Sequence, residues 1–503
     1  MVEENKRGSF GSNIGFLLSA IGSAVGLGNI WGFPYKMGKS GGFTFLIIYL
    51  LLAVFVGFTI MLGELAIGRK TGLGPVNAYK KLTQKKGFRW IGWLAIIAPF
   101  LIMTFYSVLG GYCIYYIGIN IGGLFGAMPD SSSFAAMLGN PWISIGVLVL
   151  FMLICFLINL GGVDGGIEKF NKVGMPALFV MLIIVIIRAW TLPHAAEGLK
   201  FMFVPGYAVK AGFIEKAPSV MNVLATAGGQ MFFSLSLAMG AMITYGSYLG
   251  KNENLPKNCV IIVIADTIVA IMAGLAVIPA AVANGIRMIE GGATVVDAAT
   301  GLERAMTVAD IKLGGPSLLF ATLQDVFHDM GAIGGIFGII FYILVLIAAI
   351  SSAISLIEAV SVTFIDRASA KGHEAKRPKV LALVCIAITV LGCLVAADGL
   401  GSNGFAPWQV FGMESATGDW CADWLDFMDT WSEGIAMPLG ALLMSCMIGW
   451  QIKPKALFDE IDTGYKGKIH GFWSFCIKFV CPIVMFFVLL VQISSFFNLG
   501  WFA

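Results

Sequence analysis

Residues 22–34 read GSAVGLGNIWGFP. They overlap an apolar run, residues 14–30, that has the length of a membrane span, yet Gly22, Gly26 and Gly28 crowd into it beside the polar Ser23 and Asn29. Glycine is among the poorest helix formers, so this composition weakens a helix where it can least be weakened. Hydrocarbon supplies no hydrogen-bonding partners, and a break survives there only where protein, water or a ligand takes up the freed backbone groups. The stretch is therefore predicted to be an interrupted helix at a binding site.

The composition around it agrees. Of 503 residues 58% are hydrophobic and only 12% charged, and the mean hydropathy of +0.87 lies far above that of a soluble domain. Apolar runs near the ~20 residues that cross a bilayer predict about eleven spans, centred near residues 24, 57, 106, 150, 180, 236, 272, 345, 389, 441 and 485. The expected fold is an all-α membrane bundle of one transmembrane domain, residues 1–503, with the lipid bilayer as its partner and no nucleic acid.

Charge placement sets an orientation. Lys6 and Arg7 precede the first span; Arg69, Lys70, Lys80, Lys81, Lys85, Lys86 and Arg89 fill the second connection; Arg367, Lys371, Lys376, Arg377 and Lys379 fill the eighth. Residues 119–140 and 397–430 carry acids such as Asp130, Asp398 and Asp423 and no Lys or Arg. The positive-inside rule then predicts a cytoplasmic N-terminus in the cell membrane and an external C-terminus. The first run begins like a signal peptide but lacks a small-residue cleavage site, so it is expected to be retained. The cysteines have neither metal-ligand spacing nor a disulfide framework.

Along the chain, Glu64 ends the second span, either as a functional intramembrane carboxylate or as a helix-end partner of Arg69. Tyr106 stands among Ser107, Gly110 and Gly111 and needs a partner for its hydroxyl. Gly166 and Pro176 mark two weak points in the fifth span, suited to unwinding or to a kink. The sixth repeats the oddity of the first: Gln230, Ser234, Ser236 and Gly240 interrupt MFFSLSLAMGAMITYGSY. Breaks at matching places in two five-span halves point to inverted repeats with a site at the midplane. The halves are predicted at residues 13–191 and 218–450, with an additional helix at 470–499. Asp266 lies alone among apolar residues of the seventh span and must meet a cation, a donor or a proton. Residues 284–335 read as a loop with short helices, and Ser351 and Ser352 of the eighth span are suitable hard-oxygen ligands for a small cation.

These motifs, with GGFTFLIIY, GELAIGR, IPAAVA and IAAISSAIS in order, resemble the neurotransmitter:sodium symporter family, specifically its bacterial amino-acid transporters, over essentially the whole chain. The resemblance implies two sodium sites. The first would use the Ala24 carbonyl, Asn29, Ser234 and Asp266; the second the carbonyls of Gly22, Val25 and Ala348 with the hydroxyls of Ser351 and Ser352. It places a substrate carboxylate against the amides of Leu27 and Gly28 and the Tyr106 hydroxyl, where a half-helix N-terminus favours an anion. Gly26 stands where monoamine carriers have Asp, which implies an amino acid rather than an amine, and Ile102, Phe233, Ser236, Met239, Ser352 and Leu356 would line a mostly apolar side-chain pocket.

Tyr49, Gln230 and Ser234 match chloride ligands of animal relatives, but Ala270 stands at the fourth position, and Asp266 one turn away could replace the anion or serve proton exchange. Arg7, Asp366 and Tyr248 match the inner gate. The outer gate departs from the pattern, since Gly32 replaces Arg while Asp429 remains, leaving Lys36, Lys39 or closure by Tyr106 and Phe233. The expected function is sodium-coupled, chloride-independent symport of a hydrophobic amino acid by alternating access. The competing reading is a transport-dead sensor or scaffold of the same fold. No enzyme constellation is found, the four histidines lying in loops or at span ends, and the oligomeric state is left open.

Overall fold

A computed structural model describes residues 9–296, 302–311, 313–373, 375–465 and 467–502. Among these, nine helices are long and apolar enough to cross a membrane: Phe43–Thr71, Lys86–Gly123, Pro141–Leu160, Val163–Trp190, Leu255–Glu290, Ala332–Ser369, Arg377–Asp398, Trp424–Gln451 and His470–Phe496. Asn13–Ala24 and Gly28–Lys39 form a further span bent by 45° at its break. Val220–Ser234 and Ala241–Ser247, too short singly, make the sixth of what is then an eleven-span bundle. The stretch expected as a long external loop is shorter, because the seventh span winds on to Glu290 and the eighth begins at Ala332. Between them lie a small hairpin, Thr294–Val296 paired with Glu303–Ala305, and the short helix Leu323–Asp329.

The surface is inverted relative to a soluble protein. Leu51, Val180, Ile264 and Ile483 are each more than half exposed, as lipid-facing residues must be when the surrounding solvent is hydrocarbon. Trp90, Trp142 and Trp450 are exposed at span ends, where amphipathic rings suit the headgroup layer. Inside, glycines let helices approach. A side chain at Gly110 would meet the Phe151 ring, and one at Gly111 would meet the backbone of Val147 at 2.7 Å, so the third and fourth spans pack against each other there.

The fifth span is helical through both weak points. Val163–Glu168 is wound as π-helix and continues into Lys169–Trp190 with Pro176 inside it. Gly166 also serves packing: a Cβ there would run into the Ile158 carbonyl of the fourth span.

Candidate functional site

The helix of the first span stops at Ala24, where Val25 takes an extended conformation (φ −73°, ψ 103°). Asn29 closes the break locally, its side-chain oxygen accepting the Gly26 N–H at 3.0 Å. In the sixth span the helix stops at Ser234 and resumes at Ala241. Ser236 and Ala238 are held at φ 52° and 58°, left-handed conformations that non-glycine residues adopt only under constraint, before Gly240 at φ 72°. The two breaks face each other. The Ser236 hydroxyl donates to the Ser23 carbonyl at 2.7 Å, and the Gln230 amide nitrogen donates to the Gly28 carbonyl at 2.6 Å. The carbonyls at the first break thus receive donors from the sixth span, the condition on which irregular backbone survives at membrane depth.

On one side of this contact, oxygens cluster from the first and eighth spans. Ser351 Oγ lies 3.3 Å from the Val25 carbonyl and 2.8 Å from that of Ala348. Ser352 Oγ lies 3.3 Å from the Gly22 carbonyl and 3.4 Å from that of Val25. Hydrogen bonds of neutral oxygens thus link all five residues of the second set, with the Val25 carbonyl shared by both hydroxyls. Ser23 and Ser355, 2.7 Å apart through their hydroxyls, extend the cluster; for Ser355 the sequence signal is its place one helical turn beyond Ser351.

On the other side, Asn29 Nδ2 donates to Asp266 Oδ1 at 2.7 Å and to Ser234 Oγ at 2.9 Å. Ser234 and Tyr49 hydroxyls also face the Asp266 carboxylate, at 2.9 Å and 3.3 Å. Three donors from three spans thus converge on one buried carboxylate, which answers the cost of placing it in hydrocarbon. Ala24 ends its helix nearby in the chain. Gln230 is not part of this ring: its nitrogen is taken by Gly28, and its Oε1 is buried without a partner among the described residues.

Tyr106 reaches the break of the first span. Its hydroxyl oxygen accepts the Leu27 N–H at 3.0 Å, and its ring packs edge-on against Phe233 with centroids 6.3 Å apart. Gly26 faces the same hydroxyl so closely that a Cβ would lie 2.5 Å from it. Ile102, Phe233, Ser236, Met239, Ser352 and Leu356 are all buried, four of them apolar.

Glu64 resolves differently from its pairing with Arg69. Its Oε1 accepts the Ala238 N–H at 3.0 Å, pinning the strained segment of the sixth span, while Arg69 bonds Glu460 Oε2 at 2.9 Å and the Glu253 carbonyl at 2.6 Å. Glu64→Met keeps the side chain's length but leaves the buried Ala238 N–H unpaired, a change expected to lower stability by about 1–3 kcal/mol. Glu64→Gln retains an acceptor and should lose less; thermal unfolding in detergent that finds the two variants melting together would contradict this role.

Arg7 lies outside the described residues. Asp366 Oδ2 accepts the Gly74 N–H at 2.6 Å, and Tyr248 donates to Glu358 Oε1 at 2.7 Å. Glu358 is fully buried and also takes Arg377 in a two-pronged pair, 3.0 and 2.6 Å, so Arg377 is more than a cytoplasmic charge. At the other end a cavity of ≈ 310 Å³ is lined by Trp31, Tyr35, Lys36, Phe233, Asp429 and Glu433. Lys36 makes its ion pair with Glu433, not with Asp429, although both acids line the cavity. Glu433 follows Asp429 by one helical turn, the sole sequence signal that could have flagged it. The side chains of Lys36 and Glu433 are only 14% and 7% exposed, so Lys36→Met leaves a buried charge uncompensated, with a loss expected near 3–5 kcal/mol. Adding Glu433→Leu should recover much of that loss, and equal melting temperatures for the single and double variants would refute it.

A many-spanned bundle with two facing helix breaks, two oxygen-lined clusters and a cavity reaching Phe233 is the architecture of a membrane transporter. The sequence profile of the sodium:neurotransmitter symporter family matches residues 7–123 and 137–502. The chain is 32% identical to the uncharacterized sodium-dependent transporter YhdH of Bacillus subtilis, over 98% of this chain and 100% of that one. It is 31% identical to an uncharacterized sodium-dependent transporter of Haemophilus influenzae, over 99% and 100%. The crystal structure of MhsT in complex with L-phenylalanine superimposes with a TM-score of 0.80 at 34% identity, covering 97% of this chain and 100% of that one. The chain belongs to the sodium:neurotransmitter symporter family and is a multi-pass, sodium-dependent membrane transporter, not an enzyme.

Proposed function

We infer that the protein carries a hydrophobic amino acid into the cell, together with two sodium ions, by alternating access. The observation that carries this reading is the meeting of the two helix breaks, with an oxygen cluster on each side of the Tyr106 contact. Gly22, Val25, Ala348, Ser351 and Ser352 supply five neutral oxygens for one sodium, hard donors that suit a small cation. Ala24, Asn29, Ser234 and Asp266 would hold the other, next to the substrate. A substrate carboxylate would exchange for the contact between Leu27 N–H and Tyr106, at the N-terminal end of the half-helix Gly28–Lys39, where an anion is favoured. The crowding at Gly26 leaves no room for an acidic side chain there, which supports an amino acid over an amine. The pocket residues favour an apolar side chain, and the L-phenylalanine in MhsT fits that class.

Asp266 supplies a fixed negative charge beside Ser234 and Tyr49, which supports transport without chloride. Five-span repeats at residues 13–191 and 218–450, an added helix at 470–499 and a cytoplasmic N-terminus in the cell membrane complete the reading. Each sodium entering across 100 mV contributes about 2.3 kcal/mol, so two support steep accumulation. The test is uptake of labelled amino acids into proteoliposomes with sodium, potassium or choline outside, and gluconate in place of chloride. Sodium-dependent uptake of an apolar amino acid unaffected by gluconate is expected; sodium-dependent binding without flux would establish the sensor reading instead.

A further inference from the structure

Away from the site, between the third, eighth and ninth spans, lies a groove of ≈ 470 Å³ whose walls include Trp93, Ile97, Phe100, Phe364, Leu383 and Ala387. Every side chain lining it is apolar, and Ile97, Phe364 and Leu383 are 45%, 41% and 68% exposed. The groove lies near one end of all three spans: Trp93 stands near the start of Lys86–Gly123, Phe364 near the end of Ala332–Ser369 and Val380 near the start of Arg377–Asp398. That end is basic. The Arg367 guanidinium lies 5.2 Å from the centroid of the Trp93 ring, Lys379 is the neighbour of Val380, and Lys371 and Lys376 are exposed in the same connection. Between residues 367 and 380 the sequence holds one acid, Glu374. Arg377 is committed to Glu358 and the Asn159 carbonyl, and Asp366, which accepts the Gly74 amide, sets one negative charge against Arg367, Lys371, Lys376 and Lys379, so the rim stays net positive.

We propose that this groove binds one acyl chain of an anionic phospholipid, with the headgroup held by Arg367 and Lys379. Lipid tails are as apolar as leucine, so the walls alone gain little by exchanging one tail for another. Selection falls to the headgroup, which each basic side chain close to it favours about fivefold when it is anionic. A second copy of the chain is the poorer occupant, because a two-fold contact would set this basic rim against itself. The bound lipid would brace the eighth span, which carries Ser351 and Ser352, against the ninth.

The test uses the full chain purified in mild detergent after equilibration with equal amounts of phosphatidylglycerol and phosphatidylcholine, with retained lipid counted by native mass spectrometry. At least fivefold enrichment of phosphatidylglycerol is expected. Arg367→Gln with Lys379→Gln should reduce it to twofold or less, and Ala387→Phe, which fills the groove from a lipid-exposed position, should remove the retained lipid. Equal retention of the two lipids by the unaltered chain, unchanged enrichment in the rim variant, unchanged retention in Ala387→Phe, or a dimer cross-linked through this face would each overturn the proposal.

Discussion

Gly26→Ala is expected to reduce sodium-dependent uptake about 100-fold while the protein still folds. The added methyl would lie 2.5 Å from the Tyr106 hydroxyl and would strike Ser352 Oγ. Neither group moves freely. Tyr106 accepts the Leu27 N–H, and Ser352 donates within the carbonyl cluster of Gly22, Ser23 and Val25. Overpacking of this kind costs about 1–3 kcal/mol. Here that strain falls on one proposed sodium set and on the proposed carboxylate contact together, so uptake should suffer more than stability. The measurement is initial uptake rate in proteoliposomes beside thermal unfolding of the same preparation. A variant with uptake within twofold of the parent would show that Gly26 does not face the transported molecule.

Asp266→Asn should shift the sodium concentration for half-maximal uptake upward at least tenfold and make the residual activity respond to chloride. The parent carboxylate receives donors from Asn29, Ser234 and Tyr49, and a sodium placed among them would be neutralised locally. With asparagine the same ion brings an uncompensated charge into a low-dielectric site, which is costly unless an anion accompanies it. Sodium activation curves measured in chloride and in gluconate report both effects. Superimposable curves for parent and variant would remove Asp266 from the sodium set, while a rightward shift indifferent to chloride would confine its role to sodium.

The two breaks were legible because their causes are local: Gly22, Gly26 and Gly28 in one apolar run, and Ser234, Ser236 and Gly240 in another. The pairing of Glu64 was not. On the sequence it stands beside Arg69, yet the chain folds so that Arg69 reaches Glu460 and Glu64 reaches the Ala238 amide. The outer ion pair shows the same limit, since Asp429 and Glu433 are equivalent in charge and differ only in which one the helix turns toward Lys36.

By itself, then, the sequence determined the membrane class, the spans and the positions of the helix breaks, because hydropathy and glycine content act through each residue's own neighbourhood. Tertiary structure alone decided which carboxylate holds the strained segment of the sixth span, which acid meets Lys36, and that Arg377 is drawn in to Glu358. In hydrocarbon a charge must find a partner, but which partner it finds depends on distances between spans far apart in the chain.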